Sequence, residues 1–182
     1  MLVGKEGQTI SRRLQKDGTF SFPGLEADTY EVQVNLYGYG EYVKEVTASG
    51  AKASGQEVKI EQAGEVQLVV RMGRGVGQVK GVVNAEGKPE AGAMVLLVPA
   101  SGENLERDAR MDQSDSDGTF TLGGIAPGKY VLMAIEDGWD LDWQDKEVLG
   151  PYREKGQVVE IGVDEVKKVV TEALARSKEV MR

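Results

Sequence analysis

Asp112, Asp115 and Asp117 could place several carboxylates around one turn of the chain. Carboxylate oxygens spaced along a turn are hard ligands of the kind that Ca²⁺ prefers, so these residues form a candidate calcium site. Their spacing departs from an EF-hand loop, since the twelfth position counted from Asp115 is Ala126 and not a glutamate. The alternative is a plain hairpin turn, which the matching turn at Asp17 favours because no second acid lies beside it.

Trp139, Trp143 and Tyr152 form the other candidate site, a binding surface in or beside the acidic segment 136–147. Aromatic rings flanked by carboxylates suit the stacking of a sugar, or contact with a cation or a basic partner. The alternative is packing, in which the tryptophans cover the edge of a domain and the acids solvate the loop. Three tyrosines occupy the same place at 37–42 in the first half of the chain, which favours packing.

The composition excludes several kinds of catalytic site. The chain has no Cys and no His, which rules out disulfides, thiolate and imidazole catalysis, and nearly all zinc and haem sites. Carboxylate pairs of the glycosidase type carry little weight, because 30 acidic residues in a chain of 182 produce such pairs by chance. We therefore predict that the protein is not an enzyme, with calcium as its one candidate cofactor.

Charge and hydropathy also limit the partners. The net charge of −8 and the pI of about 4.8 argue against a nucleic-acid partner, which needs clustered Lys and Arg. No run of ~20 apolar residues is present, so no membrane span is predicted. The remaining partner classes are proteins, including other copies of the chain, and carbohydrates.

The elements that must position these residues occur twice. The segment DGTFTLGGIAPGKYVL, residues 117–132, matches DGTFSFPGLEADTYEV, residues 17–32, in its Asp-Gly-Thr-Phe start, a central Gly, an aliphatic residue and a Tyr. One turn–strand–turn–strand unit repeated at a fixed offset indicates two copies of one small domain. Period-2 alternation predicts strands on both sides of each turn, with Phe20 and Phe22 on one face.

We predict one domain over residues 1–72, a Gly-rich linker over 73–77, a second domain over 78–163 and an amphipathic helix over 164–182. The linker lacks the spacing of a phosphate-binding loop, and a strand follows it instead of a helix. Apolar residues at helical spacing from Val166 onward favour the C-terminal helix, although the repeat alone would place a strand there. The first copy has no match to the strand at 79–83, so it lacks an opening strand and could expose an unpaired edge.

Residues 81–99 together with SDSDGTFTLGGIAPGKYVLMA, residues 114–134, resemble the carboxypeptidase regulatory-like domain. The resemblance covers most of residues 77–162 and, less completely, residues 1–72. It implies an all-β protein made of two tandem transthyretin/Ig-like Greek-key β-sandwiches, here followed by the predicted C-terminal α-helix. Domains of this family are often grouped with carbohydrate-binding-like folds, a grouping that describes shape and does not by itself imply sugar binding.

The same resemblance implies a non-catalytic module of a secreted or cell-surface bacterial protein, acting as a spacer, in adhesion or in assembly. A protein partner or self-assembly is the expected interaction, and a carbohydrate-binding module that uses Trp139, Trp143 and Tyr152 is the alternative. No signal peptide is visible in the first residues. The expected location is therefore extracellular, at the cell surface or in the periplasm, with the targeting segment outside this chain.

Overall fold

In the computed structural model of the protein, the described residues are 1–5, 7–34, 40–62, 64–101 and 105–176. The chain divides into two compact units, Met1–Arg74 and Gly75–Arg182, which we call unit 1 and unit 2. Both units are built mostly from β-strands, so the predicted β-rich class is confirmed. No helix among the described residues is long and apolar enough to cross a membrane.

The strands of unit 1 are β1 (Leu2–Gly4), β2 (Thr9–Ile10), β3 (Asp28–Val32), β4 (Glu41–Ser49), β5 (Lys52–Ser54), β6 (Glu57–Ile60) and β7 (Gln67–Arg74). Those of unit 2 are β8 (Gly77–Ala85), β9 (Lys88–Pro89), β10 (Met94–Pro99), β11 (Arg110–Gln113), β12 (Thr119–Ile125), β13 (Gly128–Ile135), β14 (Gln157–Ile161) and β15 (Val166–Leu174). Unit 2 also has helices α1 (Leu105–Asp108) and α2 (Lys146–Lys155) and a 3-10 helix (Gly138–Asp140).

Unit 2 has two layers of strands around one core. Strands β11, β10, β13 and β14 form one layer in that order, and β12, β8 and β15 form the other. The layers meet where Ala134 and Ile135 of β13 pair in parallel with the end of β15. Inward residues of both layers, including Val79, Leu97 and Leu132, are fully buried between them.

Two strands of unit 2 are buried on both faces, which explains their continuous apolar runs at 94–98 and 131–135. One face of β10 and β13 lies in the core between the layers, and α2 covers the other. Leu149 and Tyr152 of α2 are buried in this second cluster. The helix begins where the Asp145 side chain accepts a hydrogen bond of 2.8 Å from the Glu147 amide, as an N-cap residue does.

The predicted C-terminal helix over 164–182 is wrong for the described part of that segment. Residues Val166–Leu174 form strand β15, which pairs in parallel with β8. Burial alternates along it, with Thr171 buried and Val170 exposed, as in a strand with one covered face. The β-branched residues of this segment favour a strand, and pairing with β8 satisfies the backbone hydrogen bonds of the strand. The helical spacing of the apolar residues contains no information about this pairing. Residues 177–182 lie outside the described residues.

Unit 1 has a five-stranded sheet in the order β2-β1-β3-β6-β5 and a separate antiparallel pair, β4 and β7. Its buried core is smaller than that of unit 2 and includes Leu2, Tyr30 and Val58. Leu68 and Val70 of β7 pack against this core but are only half-buried.

The strand pairings show which elements of the two units correspond. Tyr30 pairs with Val58 between β3 and β6, as Tyr130 pairs with Val159 between β13 and β14. Strands β1, β3 and β6 therefore correspond to β10, β13 and β14, and β7 follows β6 as β15 follows β14. Among the described residues of unit 1, no strand corresponds to β8.

The connection between β7 and β8 is shorter than the sequence predicts. Gly73 and Arg74 belong to β7 and Gly77 belongs to β8, so only Gly75 and Val76 of the predicted linker lie between strands. Gly75 has a φ of 89°, a conformation in which glycine carries little strain.

Candidate functional site

Asp17 and Asp117 stabilise the same turn in the two units. The Oδ1 atom of Asp117 accepts hydrogen bonds from the Thr119 hydroxyl at 2.7 Å and the Thr119 amide at 3.1 Å. Asp17 makes the same bonds with Thr19, at 2.8 Å from the hydroxyl and 3.0 Å from the amide. These bonds favour the charged form and lower the pKa of both carboxyls. The shared acid therefore serves the turn in each copy.

The three predicted calcium ligands do not converge. Asp112 lies on β11, where its Oδ2 accepts a bond of 2.7 Å from the Thr121 amide and its Oδ1 accepts one of 2.9 Å from the Gln113 amide. Asp115 uses its backbone amide to close the turn, and Asp117 is occupied as described above. In the part of the chain that the structure describes, no three acidic side chains are grouped as metal ligands.

The three predicted binding aromatics do not share one exposed face. Trp139 is 48% exposed, and its indole Nε1 donates a bond of 3.1 Å to the Gly92 carbonyl oxygen. Trp143 is half-buried against the cluster under α2, and Tyr152 is only 3% exposed within that cluster. This arrangement fits the packing alternative for Trp143 and Tyr152, because a stacking platform needs exposed rings. Tyr37 and Tyr39 of the first copy lie outside the described residues.

The repeated tyrosines also have a structural role. The Tyr130 hydroxyl donates a hydrogen bond of 2.7 Å to the Ala126 carbonyl oxygen, and the Tyr30 hydroxyl donates one of 3.1 Å to the Glu26 carbonyl oxygen. Each bond links the start of a strand to the loop four residues earlier, so the two copies hold this loop in the same way.

A cavity of about 800 Å³ opens into the core of unit 1, and we call it the unit 1 cleft. Its walls are the segment 18–25 on one side and residues 64–70, at the start of β7, on the other. Its floor is formed by residues of the five-stranded sheet, including Tyr30, Val58 and Ile60. The cleft therefore separates the two elements that face each other across unit 1.

Most of the side chains that line the unit 1 cleft are apolar. Phe20 and Phe22 line one wall with their rings edge to face at a centroid distance of 5.8 Å, and Leu68 and Val70 line the other. Among its described lining residues only Glu65 is charged. Such a surface favours an apolar occupant and offers no group of acids and bases for catalysis.

In unit 2 the corresponding space is occupied by β8. This strand lies between β12 and β15 and pairs with both, antiparallel to the first and parallel to the second. Phe120 and Leu122 of β12, which correspond to Phe20 and Phe22, are consequently 3% and 2% exposed. In unit 1 both phenylalanines are only half-buried.

β4 does not fill the unit 1 cleft. β4 pairs with the whole of β7, from Gln67 to Arg74, yet none of the described residues of β4 lines the cleft. It therefore lies along the other edge of β7. The edge of β7 that faces the cleft has no strand partner among the described residues of unit 1.

Comparison with known proteins places the chain in no family. No protein family and no curated protein matches it. Among solved structures, the chain is similar to GBS52, the minor pilin of Streptococcus agalactiae, with a TM-score of 0.43 and 17% identity over 90% of this chain and 66% of that one. BcpA, the major pilin subunit of Bacillus cereus, gives a TM-score of 0.36 and 9% identity over 75% of this chain and 57% of that one.

A third similar structure, the TIE protein of Bacillus anthracis, gives a TM-score of 0.35 and 14% identity over 94% of this chain but 29% of that one. The chain thus spans under two thirds of the length of these three proteins. At such identities and TM-scores the likeness carries no argument about function, which has to come from the geometry of the chain itself.

Sequence reasoning found the residues of the cleft but not the cleft itself. The sequence predicts a strand with Phe20 and Phe22 on one face, whereas residues 19–22 belong to no strand among those described. The signal that was present is the unmatched strand at 79–83, since the residues that this strand covers in unit 2 recur in unit 1. What the sequence alone does not show is which edge of β7 the strand β4 takes.

Proposed function

We propose that this chain is a non-catalytic structural module that takes part in protein assembly through the unit 1 cleft. The single observation that carries the proposal is the unit 1 cleft, an opening of about 800 Å³ that is lined mostly by apolar residues. The wall residues Phe20 and Leu68 are only half-buried, although residues of the floor such as Val58 are fully buried. Covering the wall residues with part of another protein gains the free energy of apolar burial.

The other candidate sites support the same proposal by their structural roles. Asp17 and Asp117 hold turns, and Tyr152 is buried in a core. A carbohydrate platform gains no support from this arrangement, and neither does a calcium loop at Asp112, Asp115 and Asp117. Assembly is thus the function that the described surface favours.

We further propose that the parent protein is secreted or lies at the cell surface of a bacterium. The support is the resemblance of residues 81–99 and 114–134 to the carboxypeptidase regulatory-like domain, whose members are accessory modules. The layered β-architecture of unit 2 is compatible with that family's sandwich. The finer assignment to the family stays part of the proposal.

Site-specific photo-crosslinking in the cells that produce the protein tests the assembly function. Benzoylphenylalanine replaces Phe22, which lines the cleft, and in a matched control it replaces Val158, which is 67% exposed in unit 2. The expected result is a discrete adduct with a polypeptide from position 22 only. No adduct from position 22, or equal adducts from both positions, would contradict the proposal.

A further inference from the structure

We propose that the unit 1 cleft accepts a β-strand from outside residues 1–182, and that this strand runs parallel to β7 and antiparallel to residues 19–22. The inference rests on the assembly function proposed above and specifies the kind of polypeptide segment that fills the cleft. It assigns the cleft to an extended segment with a defined direction and side-chain pattern.

The geometry comes from β8, the strand that occupies the equivalent position in unit 2. β8 pairs in parallel with β15, from Gln78 opposite Val166 to Asn84 opposite Glu172, and it is antiparallel to β12. Both of its edges are therefore paired. A strand in the unit 1 cleft has the same two neighbours, the segment 19–22 on one side and β7 on the other.

The register follows from matching positions in the two units. Phe20 corresponds to Phe120 through the repeat, and Leu68 corresponds to Val169 because each lies eight residues after the isoleucine that ends β6 or β14. In unit 2 both Phe120 and Val169 pair with Gly81 of β8. The residue at the centre of the partner strand therefore lies between Phe20 and Leu68.

This register sets the side chains of the partner strand. A Cβ on Gly81 would lie 2.6 Å from the Val169 carbonyl oxygen and 2.7 Å from the Phe120 ring, so glycine fits between them without a shift. Two residues away on either side, Val79 and Val83 point inward and are fully buried. The expected partner sequence is thus Val-x-Gly-x-Val, or the same pattern with Ile in place of Val.

A strand suits the cleft better than a small apolar molecule for reasons of backbone chemistry. The cleft-facing edge of β7 has no strand partner among the described residues, and residues 19–22 form no ladder there. A bound strand pairs with both backbones, as in β-augmentation, while an apolar molecule pairs with neither.

The test uses the full 182-residue chain and a labelled peptide with the sequence of β8, GQVKGVVNA, in a fluorescence-anisotropy titration. We expect saturable binding of this peptide. A control peptide with V79S and V83S binds at least ~100-fold more weakly, since each buried valine side chain contributes on the order of tenfold. A second control with G81V also loses binding, because its side chain meets the positions of Phe20 and Leu68.

Failure of this titration is distinguishable from failure of the assembly function, because crosslinking from position 22 needs no particular partner structure. No saturable binding of GQVKGVVNA, or equal binding of the V79S/V83S peptide, would overturn the inference. So would a homodimer in which a second copy covers the cleft with something other than a strand and thereby excludes the peptide. Binding that leaves amide exchange in β7 unchanged would likewise place the peptide elsewhere and refute it.

Discussion

Truncation of the repeated phenylalanine is predicted to have very different costs in the two units. Phe20 and Phe120 occupy the same place in the repeat and differ in what covers them. Phe120 is 3% exposed in a core that includes residues of β8, whereas Phe20 is half-buried on the wall of the unit 1 cleft. Replacing each by alanine therefore compares a covered wall with an open one.

The expected magnitudes follow from burial. F120A removes a fully buried ring and should cost about 3–5 kcal/mol in the free energy of unfolding of unit 2. F20A removes a half-buried ring and its edge-to-face contact with Phe22, which should cost about 1–2 kcal/mol in unit 1. The difference of about 2–3 kcal/mol measures the contribution of the strand that covers only one of them.

The two units can be followed separately. Both tryptophans of the chain, Trp139 and Trp143, lie in unit 2, so tryptophan fluorescence during urea unfolding reports on that unit. The stability of unit 1 is read from native-state amide exchange of the core residues Tyr30 and Val58. Equal costs for F20A and F120A would refute the reasoning, because they would mean that Phe20 is covered as fully as Phe120.

Three further predictions concern unit 2. G81A should cost about 1–3 kcal/mol because its Cβ would meet the Val169 carbonyl oxygen at 2.6 Å, while G123A, with no heavy atom within 4 Å, should change the free energy by less than about 0.5 kcal/mol; similar costs in urea unfolding would contradict this. Y130F should lower the free energy of unfolding by about 1 kcal/mol, because it removes the hydrogen bond from the Tyr130 hydroxyl to the Ala126 carbonyl oxygen; an unchanged unfolding midpoint would argue against that bond. Asp117 has a pKa below its usual value of 3.8, so its stabilising effect is complete above that pH and is lost as pH falls through the lowered pKa. The difference in midpoint between the wild type and D117N should accordingly be constant near neutral pH and vanish in acid, and a difference that grows in acid would have the wrong sign.

The parts of the fold that depend on local chemistry could be predicted from the sequence. The Asp-Gly turn at residue 117 carries its own stabilising bonds to Thr119, and the strand that contains Tyr130 shows its type in its own apolar pattern. Both features follow from a few neighbouring residues, which is why they also recur in unit 1.

The parts that depend on distant partners could not be predicted in this way. The apolar residues of the segment Val166–Leu174 have the spacing of an amphipathic helix, but the segment forms a strand because β8 pairs with it. The converse holds for α2, where Gly150 and Pro151 would ordinarily predict a break, yet burial of Leu149 and Tyr152 against β13 supports a helix. In both segments tertiary contacts outweigh local propensity.

The candidate sites show the same difference between what local residue types predict and what distant contacts decide. The acids at 112, 115 and 117 and the aromatics at 139, 143 and 152 attract attention by residue type, but their roles depend on the neighbours they contact. The unit 1 cleft carries no distinctive residue type. It becomes visible only when the walls of unit 1 are compared with the same walls around β8.

The most direct test of an open strand position in unit 1 is residue-by-residue amide exchange along β7 in the full chain, measured by NMR. Successive amides of a strand point to opposite edges, so those that donate to β4 should exchange slowly and those that face the unit 1 cleft should exchange fast. Addition of the peptide GQVKGVVNA should slow the second set, while its V79S/V83S control should not. Uniformly slow exchange along β7 without any peptide would contradict the account, because it would show that this edge is already paired.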